Sequence, residues 1–112
     1  MPSVTSAQDV LDLIATAGLE IQSIEWLAID SSDLEGTVEQ VKFYTPSLCD
    51  GCSSMVIGFD SAAHAQTGEI TIQVFVPGQF HVYRRGRLLL RMGGLIAKSQ
   101  ADQYANVAGF GQ

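Results

Sequence analysis

Positive charge is scarce in this chain: 6 Lys and Arg face 12 Asp and Glu, for a net charge of −6. A surface so acidic repels phosphate, which ranks nucleic-acid binding last among the functions considered. Long apolar runs are missing too; none approaches the roughly 20 residues that cross a bilayer. The opening Met-Pro-Ser-Val-Thr-Ser has neither the basic start nor the apolar segment of a signal peptide. A cytoplasmic protein with no membrane partner is the default expectation. Catalytic signatures are absent as well. No serine sits in a nucleophile-elbow context, and Gly93-Gly94 lacks the Lys-Ser/Thr and the preceding strand of a phosphate loop. His64 and His81 read as structural or surface residues rather than as general bases. These gaps point to a non-enzymatic building block or binding module with no cofactor.

Cysteine is limited to Cys49 and Cys52. Cys-x-x-Cys can be redox-active when its first thiol lies at a helix N-terminus. Here Asp50-Gly51 between the thiols reads as a turn, no helix follows, and Asp50 disfavours a thiolate. Zinc needs four ligands, and only His64 and His81, 17 residues apart, could complete the set. The plainest expectation is a pair of reduced loop cysteines.

What the chain does contain is enough apolar residue, 46% of 112, for one globular domain. A chain of this length buries about 65% of its unfolded surface, so a core needs no staples. Ser6-Ala7-Gln8-Asp9 is a capping box with Asp in the Glu position. Val10, Leu13, Ile14 and Ala17 follow at helical spacing, and Gly18 stops a helix expected over 7–17. Strands are expected over 21–29, apolar on both faces and including Trp26, then over 38–44 and 55–59. Residues 30–36 and 47–53 read as loops and 60–67 as a further connection. Ile70, Ile72, Val74 and Val76 alternate with Glu69, Thr71, Gln73 and Phe75, which predicts a fourth strand over 69–76 ended by Pro77-Gly78.

After Pro77, two patterns compete. Leu88, Leu89, Met92, Leu95 and Ile96 form a helical stripe, with Arg84, Arg87, Arg91 and Lys98 on a second stripe of the same period. Gly86, Gly93 and Gly94 each cost such a helix about 1 kcal/mol. The competing reading is a hairpin turning at Arg84-Arg85-Gly86-Arg87. The long helix is favoured, with the weakly patterned residues 101–112 as a flexible or assembly-ordered tail. The expected fold is therefore α+β: an antiparallel or mixed four-stranded sheet with an N-terminal helix and a long C-terminal helix.

Charge is divided along the chain, with a net of −10 over residues 1–83, where Lys42 is the one base, and +4 over 84–112. One reading is a solvated helix face. The other is a complementary contact between subunits, for which Arg84, Arg87, Arg91 and Lys98 are candidates, together with Trp26 of the two-faced strand. Trp26 otherwise reads as core rather than as a stacking platform.

The run Gly-Glu-Ile-Thr-Ile-Gln-Val-Phe-Val-Pro-Gly-Gln at 68–79, read as a strand leading into a helix, resembles the tail-terminator and tail-completion proteins of long-tailed bacteriophages. The resemblance implies a structural virion protein of the neck or tail. Such proteins form rings, often hexameric, that end the tail tube, join it to the head-side connector and pass DNA through the lumen without specific binding. It is strongest over 68–79, extends to 99 and is only architectural over 7–44. The family usually adds strands after the long helix, and only residues 101–112 remain here. A small cytoplasmic binding or dimerisation module, with the faces of strand 21–29 covered by a partner, is the alternative.

Overall fold

A computed structural model describes residues 4–110. The elements run α1 (Ala7–Thr16), β1 (Gln22–Trp26), β2 (Thr37–Tyr44), β3 (Ser53–Phe59), α2 (Ala62–Phe75), β4 (Phe80–Arg85), β5 (Leu88–Gly93) and α3 (Lys98–Val107). The fold is α+β, as expected, but the sheet has five strands in the order β1-β2-β3-β5-β4, and every pairing is antiparallel.

α1 forms where its sequence says it should. The Ser6 side chain accepts from the Asp9 N–H, and the Asp9 carboxylate accepts from the Ser6 N–H, so two otherwise orphaned donors are satisfied. Val10, Leu11 and Ile14 turn inward. β3 carries the middle of the sheet and is buried from Ser54 to Phe59.

Residues 60–76 depart from expectation. Ala62–Phe75 form helix α2, where the sequence predicts a connection followed by a strand. Ser61 caps it by accepting from the His64 N–H, and Ala65, Gly68, Ile72 and Val76, three and four residues apart, pack on the sheet. The alternating apolar set is thereby split, with Ile72 inside while Ile70 and Val74 face outward. Thr67 and Thr71 satisfy their hydroxyls on the carbonyls of Ala63 and Thr67, four residues back.

The favoured long helix over 84–98 is also corrected. Residues 80–93 are a β-hairpin, the competing reading, with Arg85 opposite Leu88 across a two-residue turn. Gly86 is the first turn residue with φ +56°, a region that primed hairpin turns demand and that glycine enters without steric cost. Leu88 and Leu90 then enter one core and Leu89 the other. A leucine run that mimics a helical stripe is here a strand covered on both faces.

Residues 101–110 are not a loose tail. Ala101, Tyr104, Ala105, Ala108 and Phe110 are buried, and the Tyr104 hydroxyl donates to the Glu20 carbonyl at 2.6 Å. α3 ends in a Schellman motif: Phe110 N–H donates to Ala105 O at 2.7 Å and Gly109 N–H to Asn106 O at 3.1 Å, with Gly109 at φ +87°. α1 ends the same way, through Leu19 N–H to Ile14 O and Gly18 N–H to Ala15 O. Residues 111–112 lie outside the described part.

The sheet thus separates two cores. α1 and α3 cover one face through Val10, Ile14, Val41, Phe43, Leu90 and Met92. α2 covers part of the other through Phe59, Ala65, Ile72 and Leu89. It reaches β3, β5 and β4, which leaves the β1–β2 side of that face to the loop over 27–37.

Candidate functional site: the β1 edge and the Arg91 cleft

The hairpin takes the four basic interface candidates off any common stripe. Arg84, on β4, reaches Glu69 of α2 at 3.0 Å. Arg87, in the hairpin turn, reaches Glu39 at 3.2 Å and also donates to the carbonyls of Thr5 and Phe59. Lys98 pairs with Asp102 one turn along α3, at 3.0 Å. The positive C-terminal quarter is thus largely neutralised within the chain. A prediction follows for Arg87. Replacing it with Glu sets two carboxylates against each other, so Arg87→Glu should lower the thermal midpoint more than Arg87→Met, and added salt should narrow that gap. Circular dichroism melts at low and high salt check this; identical midpoints would show that the Arg87–Glu39 pair contributes nothing.

Arg91 stands apart. It lies on β5 opposite Met55 of β3 and joins no ion pair, and its buried Nε has no hydrogen-bond partner among the described residues. Its guanidinium carbon sits over the Phe80 ring, 4.1 Å from its centre, within cation–π range. Burial pulls its pKa down from the usual arginine value. Beside it a cleft of ≈290 Å³ opens between the sheet and the 27–37 loop, with Leu27, Met55 and Ile57 in its lining.

A larger groove of ≈530 Å³ straddles the β4 edge between α2 and α3, bounded by Glu69, Tyr83, Arg84, Lys98 and Asp102. Each of these is already engaged. The Tyr83 hydroxyl donates to Asp102 at 2.6 Å, and burial with that carboxylate pushes the phenol far above its ordinary range. Hydrogen bonds from Tyr83 and Lys98 hold Asp102 below the usual carboxylate value. The polar lining of this groove is therefore satisfied by its own pairs.

No family model, curated protein or solved structure matches this chain.

Trp26 is not core. It ends β1, an edge strand exposed at every residue, and is 48% exposed beside Ile24 at 49%. Ile29 and Val38 are exposed nearby. The Leu27 N–H donates to the Gln40 carbonyl at 3.0 Å, and Trp26 stands opposite Val41. By antiparallel alternation, Trp26 turns its backbone N–H and C=O away from β2, and Ile24, inside the irregular stretch between Gln22 and Glu25, has no β2 partner. The outer edge of β1 is thus open among the described residues and flanked by apolar side chains, and its one acid, Glu25, lies 3.5 Å from Lys42. A bulge at Ser23, with φ 54°, shortens the regular stretch.

Cys49, Cys52, His64 and His81, the four residues that could make up a zinc set, are not brought together. Cys49 and Cys52 are joined as a disulfide, Cα–Cα 5.5 Å, where reduced thiols were expected. The turn through Gly51 brings them within disulfide range. The His64 ring is held at 2.5 Å by Asp60, which raises its pKa and lowers that of Asp60, and His81 bonds the Ile96 carbonyl at 2.7 Å. Among the described residues no three His, Cys, Asp or Glu side chains converge as a metal set. Sequence reasoning flagged Trp26 and Arg91 but missed Ile24 as an edge residue and Leu27, Asp33, Gln40 and Met55 around Arg91. Apolar residues on both sides of strand 21–29 were the available signal for the first. Nothing local signals the second, since its lining comes from three separate segments.

Proposed function

We propose that this chain is a non-enzymatic assembly module that joins a second copy of itself along β1. The observation that carries this reading is the open edge of β1 among the described residues, where the Ile24 and Trp26 side chains are half exposed. An open edge of this kind is a template for pairing unless charge or cover protects it, and the one acid of β1, Glu25, has Lys42 beside it as a counter-charge. Antiparallel pairing of Ile24 with Trp26 of a second copy obeys a twofold axis, the commonest symmetry of oligomers, and clusters two Ile24 and two Trp26 side chains on one face. The strand is short, 5 residues, so the association is reversible.

The phage neck or tail reading shares self-association with this one. Its motif at 68–79, however, lies in α2 and the turn after it, ahead of a hairpin rather than a long helix. A closed ring also needs two different complementary surfaces, whereas β1 complements itself.

Trp26 is the one tryptophan of the chain, so its fluorescence reports the edge directly. On dilution the sedimenting mass should fall from dimer to monomer while Trp26 emission shifts to the red. Ile24→Lys should weaken the dimer about 100-fold or more, through lost apolar burial in both copies and an added charge, without lowering the monomer's thermal midpoint. A monomer at every concentration with constant emission would overturn the proposal. A larger closed particle would restore the ring reading in its place.

A further inference from the structure

We propose that the cleft beside Arg91 is a binding site for a small monocarboxylate with a short aliphatic tail. The polar groups of its loop wall are already used. Gln40 Nε2 donates to the Ala28 carbonyl and to Asp33 Oδ2, Asp33 also accepts from the Asp30 N–H, and the Thr37 hydroxyl donates to the Leu34 carbonyl. These bonds hold the wall in place, while among the described residues the buried Arg91 Nε has no hydrogen-bond partner and Arg91 joins no ion pair. Because Nε is buried, a carboxylate in the cleft that Arg91 lines would pair with its two terminal nitrogens, whose fork matches a carboxylate bidentately.

The surroundings select the anion. Asp33 lines the same cleft, and the chain carries a net charge of −6, so a dianion such as phosphate meets repulsion that a single negative charge meets less. Leu27, Leu34, Met55 and Ile57 supply an apolar lining for a hydrocarbon tail. A cleft of ≈290 Å³ falls at the low end for ligand pockets, which limits the tail to a few carbons. A largely desolvated guanidinium strengthens the pairing, because the cost of stripping its water is met by the fold before the ligand arrives.

Titrating the full chain with sodium hexanoate, while following methionine methyl signals by NMR, tests the site. Met55 lines the cleft and Met92 is buried in the opposite core, so Met55 should shift saturably and Met92 should not. Hexanol, with the same tail and no charge, should bind about tenfold more weakly or not at all. Arg91→Met should lose hexanoate binding by a similar factor while melting no lower than the parent, because it removes a buried donor that has no partner. Should that variant not fold, the hexanoate–hexanol comparison on the parent chain decides alone. No saturable Met55 shift, equal binding of hexanol, phosphate binding as tightly as hexanoate, or undiminished binding in a folded Arg91→Met would each overturn the assignment.

Discussion

Phe43→Ala is expected to lower the unfolding free energy by about 3–5 kcal/mol, the largest effect of any single side-chain truncation considered for this chain. Phe43 is fully buried on β2. It stands in the core that α1 and α3 share, with Val10, Ile14, Met92 and Ile96. Removing the ring forfeits its transfer free energy and leaves a void that two helices and a paired strand cannot close without breaking their own contacts. Domains of this size are stable by only about 5–15 kcal/mol, so the variant should lie near the threshold of folding. Urea titration should show a lower midpoint with an unchanged slope, the mark of altered stability rather than altered compactness. A loss below about 1.5 kcal/mol would mean that the α1–α3 layer does not seal the sheet as described. Phe43→Leu, which keeps most of the volume, should cost under about 1.5 kcal/mol.

Gly94→Ala is expected to cost about 3 kcal/mol for a purely steric reason. A Cβ at this position would lie 2.5 Å from the Gln79 carbonyl oxygen, 2.7 Å from its carbon and 3.0 Å from the Gly78 oxygen. All three are backbone atoms, so no side chain can swing aside. The turn cannot retreat either, because the Gly94 N–H donates to that same Gln79 oxygen at 3.0 Å. The clash should therefore loosen the connection between α2 and β4, and amide hydrogen exchange should accelerate there before it does in β2 or β3. Gly93→Ala is the control: its nearest neighbour is the Cys52 Cβ, at 3.1 Å, so its cost should be smaller. Equal midpoints for Gly94→Ala and the parent chain in a thermal melt would refute the close backbone approach.

Where both ends of an element carry their own signal, sequence reading succeeded. α1 has its capping box at Ser6 and its Ala-Gly-Leu ending at 17–19, and both are local hydrogen-bond devices. The same Ala-Gly-apolar ending recurs at Ala108-Gly109-Phe110 and closes α3. It is the missed clue that Lys98–Val107 is a helix, obscured because Ala97 gives α3 no side-chain cap. α2 failed for the opposite reason. Its β-branched residues alternate like a strand, and intrinsic preferences there differ by under about 1 kcal/mol per residue, so Ser61 and the packing of Ala65, Gly68 and Ile72 on the sheet decide the outcome.

The sequence by itself determined the α+β class, helix α1, strands β2 and β3 and the acidic balance. Those follow from capping chemistry, period-two burial and charge, all of which act within a few residues. Tertiary structure alone decided that residues 80–93 form a hairpin, because Leu89 finds its partner in Ile57, far away in the chain. Once that pairing exists, a stripe of Arg84, Arg87 and Arg91 dissolves into a strand, a turn and a second strand. Two of these arginines are neutralised by carboxylates from other elements, and Arg91 is stacked on Phe80 beside an open cleft. Which cation stays unpaired depends on contacts between distant segments, and no local pattern encodes those.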